Sequence, residues 1–244
     1  MLFKQLFIFL LFNLAASNMA IASISAETTT ETNAIKKPIT KPPSPPPKIP
    51  PNKIKPGGGL ELFTQSCTDN TQSLTALVPV ENPVLAASEH PTLLFYIPDR
   101  PAQIHHGEFT IVTADEKSTI YTNQITIDSS PGIMSLQTPQ IPQYALKDGN
   151  IYHWYFKLYC QQDPSFKSYV DVHGWIKKVA STPETAQQIE TASPQLWYDS
   201  LAKTAANLAI APENQTFQQQ WLKLLQEIDL ENLAQTPIQT LELE

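Results

Sequence analysis

Between Leu60 and Val179, apolar and polar residues alternate in short runs cut by prolines, glycines and charged turns. A period of two lets a strand bury one face and leave the other wet. Ser73–Val78 is closed by Pro79, and Thr92–Ile97 is framed by Pro91 and Pro98. Glu108–Thr113 and Thr119–Ile127 flank the polar turn Ala114-Asp115-Glu116-Lys117, which predicts a hairpin. Ile133–Gln137 lies between Pro131-Gly132 and Pro139, while Ile151–Cys160 and Ser168–Lys178 form the strongest pair. Short strands at this spacing predict a mainly β fold, an antiparallel immunoglobulin/fibronectin-like β-sandwich.

The run Ile151–Cys160 carries the most information. Tyr152, Trp154, Phe156, Leu158 and Cys160 share one phase, which reads as core. The turn residues Leu146 to Asn150 deliver Tyr152 to the start of this strand, where a tyrosine corner would bond its hydroxyl back to nearby backbone. The opposite phase holds His153, Tyr155, Lys157 and Tyr159, and the partner run places Tyr169, Asp171, His173 and Trp175 on that same outer face. Tyr155, Tyr159, Tyr169, His173 and Trp175 are therefore the candidate binding surface, because a patch of rings on a sheet needs a partner.

After Lys178 the period becomes helical. Ser193-Pro194 supplies an N-cap and first-turn pair for a helix reaching about Ala209, with Trp197, Leu201, Ala205 and Leu208 in one stripe. A second helix from Glu213 to Ile228 aligns Phe217, Trp221, Leu224, Leu225 and Ile228. So short a segment builds little core alone, so it is expected to dock as a C-terminal helical extension (residues 181–244) on the 57–180 sandwich. Docking over the outer-face rings would satisfy them. If the helices dock elsewhere, the rings remain open as a platform.

The N-terminal quarter has a different character. Met1 to Ala16 is apolar apart from Lys4 and a few polar positions, and Ala20-Ile21-Ala22 fits a cleavage site, with a second at Ala26. This predicts a signal peptide over residues 1–26, hence a secreted, periplasmic or cell-envelope protein. Membrane attachment would come only through an uncleaved N-terminus. Residues 27–56 are expected to be a Pro/Lys-rich disordered spacer, with nine prolines from Pro38 to Pro56 favouring extended polyproline II. Gly57-Gly58-Gly59 follows as a swivel. In an oxidising compartment Cys67 and Cys160 are expected to form a disulfide, stabilising by roughly 4–5 kcal/mol in the chain-entropy model.

Charge narrows the partners. Residues 27–56 hold six Lys against two Glu (+4), residues 57–180 seven basic against twelve acidic (-5), and residues 181–244 two against nine (-7). Such a globular part does not suit nucleic acid, which needs concentrated cations. Among the five histidines, His105-His106 are read in a loop. His153 and His173 share a face, with Asp171 or Asp199 as a conceivable third zinc ligand. Sheet histidines under a cover are the commoner case, so no metal site is assigned. No G-x-S-x-G elbow, carboxylate pair, phosphate loop or cofactor fingerprint stands out, so the chain reads as non-enzymatic and without cofactors.

Several blocks run in order along the chain: Gly57-Gly58-Gly59, Cys67, LTALVP at Leu74–Pro79, HPTLLFYIP at His90–Pro98 and PGIMSL at Pro131–Leu136. YHWYFKLYC at Tyr152–Cys160, VHGWIKK at Val172–Lys178 and WYDSLA at Trp197–Ala202 complete the series. The series resembles a family of exported cyanobacterial proteins known as domain of unknown function 928. The resemblance implies an envelope or periplasmic location in a Gram-negative photosynthetic host and brings no activity or catalytic residues. The reading is an adaptor module that binds an envelope protein, with a carbohydrate- or peptidoglycan-binding module as the alternative. A metal-dependent hydrolase using His90, His105, His153 or His173 ranks third.

Overall fold

The computed structural model describes residues 49–55, 73–98, 104–127, 132–160 and 169–242. The expected leader, most of the spacer, the triple glycine and Cys67 lie outside the described residues. So does the side chain of Cys160, and with it the expected disulfide.

Among the described residues, nine strands and three helices follow one another: β1 (Thr75–Ala76), β2 (Val84–Ala86), β3 (Thr92–Ile97), β4 (Ile104–Thr113), β5 (Thr119–Ile125), β6 (Gly132–Gln137), β7 (Ile151–Cys160), β8 (Tyr169–Lys178), α1 (Pro183–Glu190), α2 (Trp197–Ile210), α3 (Gln215–Gln226) and β9 (Ile238–Glu242). The strands form two sheets, a four-stranded one in the order β1-β3-β6-β9 and a five-stranded one in the order β2-β8-β7-β4-β5. The fold is mainly β and sandwich-like, as the alternation predicts.

The purely antiparallel expectation is corrected at the edges. β2 runs parallel to β8, pairing Val84 with Ile176, and β9 runs parallel to β6, pairing Ile133 with Ile238. Both sheets are therefore mixed. The two strands that make them so are the two that alternation does not reveal, being short and isolated in sequence.

The inner faces meet around Phe95. Its ring centroid lies 4.4 Å from Phe156, 5.5 Å from Trp154 and 6.3 Å from Phe109, the last two edge-on, as ring quadrupoles favour. Gly107 and Gly174 flank β7 on its two neighbours, opposite Leu158 and Trp154. A Cβ on Gly174 would lie 2.6 Å from both Trp154 and Asn52 Oδ1. Glycine there is what lets the indole approach β8 this closely. The tyrosine corner is present: the Lys147 N–H donates to the Tyr152 hydroxyl at 2.9 Å.

β3 and β6 are buried along nearly their whole length, not on alternate residues, so the four-stranded sheet is covered on both sides. α2 packs against β2, β3, α1 and α3. It is fastened by Trp197 Nε1 donating to the Leu77 carbonyl at 2.8 Å and by Trp154 Nε1 donating to the Tyr198 hydroxyl at 2.8 Å. The Asp199 carboxylate accepts the N–H groups of Ala87 and Ser88 at 2.7 and 2.8 Å. The helices thus belong to the β2 and β3 side. They do not cover the outer face of β7 and β8, which corrects the expected docking site.

α1, unforeseen in the sequence, starts at a reciprocal cap between Thr182 and Thr185 with Pro183 in its first turn, and buries no residue. Residues 49–55, counted with the spacer on composition, lie along the edge of β8. Lys53 and His173 exchange backbone hydrogen bonds at 2.9 and 3.1 Å. Buried Asn52 accepts the Trp175 N–H at 2.9 Å and donates to the Pro79 carbonyl at 2.7 Å.

Candidate functional site

The outer face of β4, β7 and β8 is ordered in rows set by strand register. Thr110, Tyr155 and His173 lie side by side, as do Glu108, Lys157 and Asp171, and then His106, Tyr159 and Tyr169. Val112, His153 and Trp175 form the row at the other end. Successive rows are two residues apart, about 7 Å. A groove of about 370 Å³ runs over them, lined by Thr110, Val112, Glu116, Tyr155, Lys157, Tyr169 and Asp171.

The five candidate surface residues do not share one fate. Tyr169 is 44% exposed, and Tyr155, Tyr159 and His173 are half-buried. Trp175 is only 6% exposed, stacked on His153 with centroids 3.9 Å apart and planes 9° off parallel. It is a packing residue, which corrects its assignment as open surface. Tyr159 is held between His106, stacked at 4.6 Å, and Tyr169 at 5.5 Å.

Below the groove a polar chain runs inward from Glu116. This residue has a left-handed backbone (φ 57°), in a turn closed by Thr113 N–H to the Ser118 carbonyl at 2.9 Å and Glu116 N–H to the Thr113 carbonyl at 2.8 Å. Its carboxylate meets His153 Nδ1 at 2.8 Å and accepts the Tyr155 hydroxyl at 2.9 Å. His153 Nε2 lies 3.0 Å from His173 Nδ1. A carboxylate only accepts, so neutral His153 donates from Nδ1 and accepts at Nε2 from the Nδ1–H of His173.

Electrostatics follow from burial and these bonds. Hydrogen bonds from His153 and then Tyr155 hold Glu116 below the usual carboxylate range. Burial pushes His153 down against the pull of Glu116, and pushes His173 down with the adjacent His153 adding to it. Burial, then the Glu116 bond, raises the Tyr155 phenol. The cluster therefore rests as one carboxylate beside neutral rings.

The remaining charges of the groove are paired. Asp171 meets Lys53 at 2.7 Å, and Lys157 meets Glu108 at 3.2 Å. Lys157 Nζ also lies 5.4 Å from the centre of the Tyr169 ring. His153 and His173 do meet, while the conceivable third ligands have other partners: Asp171 pairs with Lys53 and Asp199 accepts the N–H groups that follow β2. Among the described residues no His, Cys, Asp and Glu gather as a metal-binding group. His106 lies within β4, not in a loop.

Alternation alone identified the outer-face rings, Lys157 and Asp171. In the sequence Glu116 stands out only as part of a turn, because no periodicity marks a side chain that folds back over the sheet.

No curated protein matches the chain. Among solved structures, one similar chain is Astrotactin-2, described as a conserved vertebrate-specific, perforin-like membrane protein involved in neuronal development. It is 12% identical, with a TM-score of 0.28 over 64% of this chain and 28% of that one. The chain thus spans less than a third of that protein, and at this score the likeness carries no argument. The model of the family described as Domain of Unknown Function (DUF928) matches residues 56–238, three quarters of the sequence, and the chain belongs to that family.

Proposed function

We propose that this protein is an exported, non-catalytic envelope module that binds a glycan in the groove over β4, β7 and β8. The single observation behind this reading is the composition of that groove. Two tyrosine rings, Tyr155 and Tyr169, stand beside ionised and hydroxyl groups, namely Glu116, Asp171, Lys157 and Thr110. A sugar presents an apolar ring face and an edge of hydroxyls, so it needs this mixture of aromatic wall and polar rim. The groove volume, about 370 Å³, is in the range of small-ligand clefts. Because the helices pack on the β2 and β3 side, they leave these rings uncovered.

Co-sedimentation of the full chain with purified peptidoglycan sacculi and envelope polysaccharide tests the proposal. Binding should be lost or reduced more than about tenfold in Tyr169→Ala, an exposed position whose loss costs little stability. Failure to bind any such polymer, or undiminished binding by Tyr169→Ala, removes the groove from consideration.

A protein partner is the second reading. What favours it is a separate groove of about 450 Å³ between α2, α3 and the start of β9, walled by Leu208, Trp221, Leu222 and Ile238. Cross-linking from a residue substituted into this wall would recover an envelope protein under that reading. Recovery of none leaves the glycan reading alone.

A further inference from the structure

Resting on the glycan reading, we infer that the sugar carries a free amine, seated as an ammonium on Glu116. The groove has three nearby carboxylates, and two have their own cations: Asp171 with Lys53 at 2.7 Å and Glu108 with Lys157 at 3.2 Å. Glu116 does not. Among the described residues its only ion-pairing partner is the imidazole of His153, at 2.8 Å, and its other bond comes from the Tyr155 phenol. Burial favours the neutral form of both rings, and their hydrogen bonds favour the ionised form of the acid. The result is an unneutralised negative charge at one end of a cleft with aromatic walls.

Its placement is not that of an ordinary solvated surface acid. Left-handed backbone is uncommon for a residue with a side chain, and here it turns the carboxylate inward over the sheet. Two bonds from β7 hold it there, while the side chain remains 53% exposed toward the groove. Such an acceptor, fixed before the ligand arrives, is suited to a charge-assisted hydrogen bond. A tyrosine ring also attracts cations to its electron-rich face, and the Tyr169 ring already has the Lys157 ammonium 5.4 Å from its centre.

Along the cleft, the Tyr155 and Tyr159 rows are four residues apart, about 13 Å, long enough for more than one sugar unit. An amine at Glu116 therefore leaves the rest of a short oligomer over Lys157, Asp171 and Tyr169. The ligand class is a glucosamine-type glycan with unsubstituted amines, because acetylation would remove the charge and bury an amide against the carboxylate.

Isothermal titration calorimetry of the full chain with a glucosamine oligomer and its fully N-acetylated counterpart tests this. The amine form should bind about tenfold more tightly, the scale of one charge-assisted bond. Glu116→Gln should abolish that preference and bring the two affinities together, with circular dichroism showing that the sheet remains folded. Tyr169→Ala should weaken both sugars together and retain the preference. Equal binding of the two oligomers overturns the amine assignment and leaves the groove reading standing, whereas binding of neither overturns both. A preference that survives Glu116→Gln places the amine elsewhere. A lysine-containing peptide that outcompetes the glucosamine oligomer replaces the sugar with a peptide amine.

Discussion

Gly174→Ala is the sharpest test of how the five-stranded sheet is packed. The added methyl would lie 2.6 Å from Asn52 Oδ1 and 2.6 Å from the Trp154 indole, distances at which something must move. Trp154 is fully buried and tied through Nε1 to Tyr198. Displacing it is an overpacking event, costing about 1–3 kcal/mol. The other escape expels Asn52. That strands the Trp175 N–H and the Pro79 carbonyl, which Asn52 now pairs, at about 1–3 kcal/mol for a buried group left unsatisfied. Against either route, alanine reduces the freedom of the unfolded chain, a gain of about 0.4–1 kcal/mol. The expected balance is about 2 kcal/mol of destabilisation, or a melting temperature about 4–8 °C lower for a domain of this size. Thermal unfolding followed by near-ultraviolet circular dichroism gives the number. Combining the change with Asn52→Ala identifies the route, since non-additive losses mean that Asn52 is what yields. A melting temperature unchanged or raised would show that β8 and the indole are not in the close contact described.

Four further outcomes are expected. Tyr198→Phe should cost about 1–3 kcal/mol by orphaning the buried Trp154 N–H, and an effect below a few tenths in urea unfolding contradicts that bond. Trp175→Ala should cost about 3–5 kcal/mol, as a large core deletion does, while Tyr169→Ala stays within about 0.5 kcal/mol; equal losses would contradict their different burial. His153 and His173 are both held below the ordinary histidine value of 6.5, so the unfolded chain takes up more protons than the fold as pH falls through that value. Stability is therefore full above about pH 6.5 and declines below it, and a urea midpoint that rises on acidification refutes the neutral pair. Asp199→Ala should cost about 1–3 kcal/mol by leaving the N–H donors of Ala87 and Ser88 without their acceptor, read in the same unfolding assay.

What the sequence revealed and what it hid divide along physical lines. β3 and β7 are bounded as the pattern predicts because a proline at each end of Thr92–Ile97, and strict alternation through Ile151–Cys160, are local signals. Val84–Ala86 and Ile238–Glu242 were missed because a short strand that pairs in parallel takes its stability from a distant partner. α1 was missed because a helix that buries nothing has no apolar stripe, leaving only the Thr182 cap to announce it. The phase of the outer-face rings was legible, but not the covering of Trp175 or the reach of Glu116. Those depend on which way a turn folds back, and a hairpin reading of Ala114 to Lys117 does not contain that direction.

The strand edge occupied by Asn52 and Lys53 has a consequence for handling the protein. β2 shields β8 along Ile176 to Lys178, and residues 52–53 shield it at His173. A chain trimmed to begin after residue 55 would lose the second shield. It would then present a row of unpaired donors and acceptors beside a hydrophobic sheet, the usual template for one copy to add onto another. Such a trimmed protein would be expected to self-associate on concentration, and its oligomers would reflect the cut rather than a native assembly.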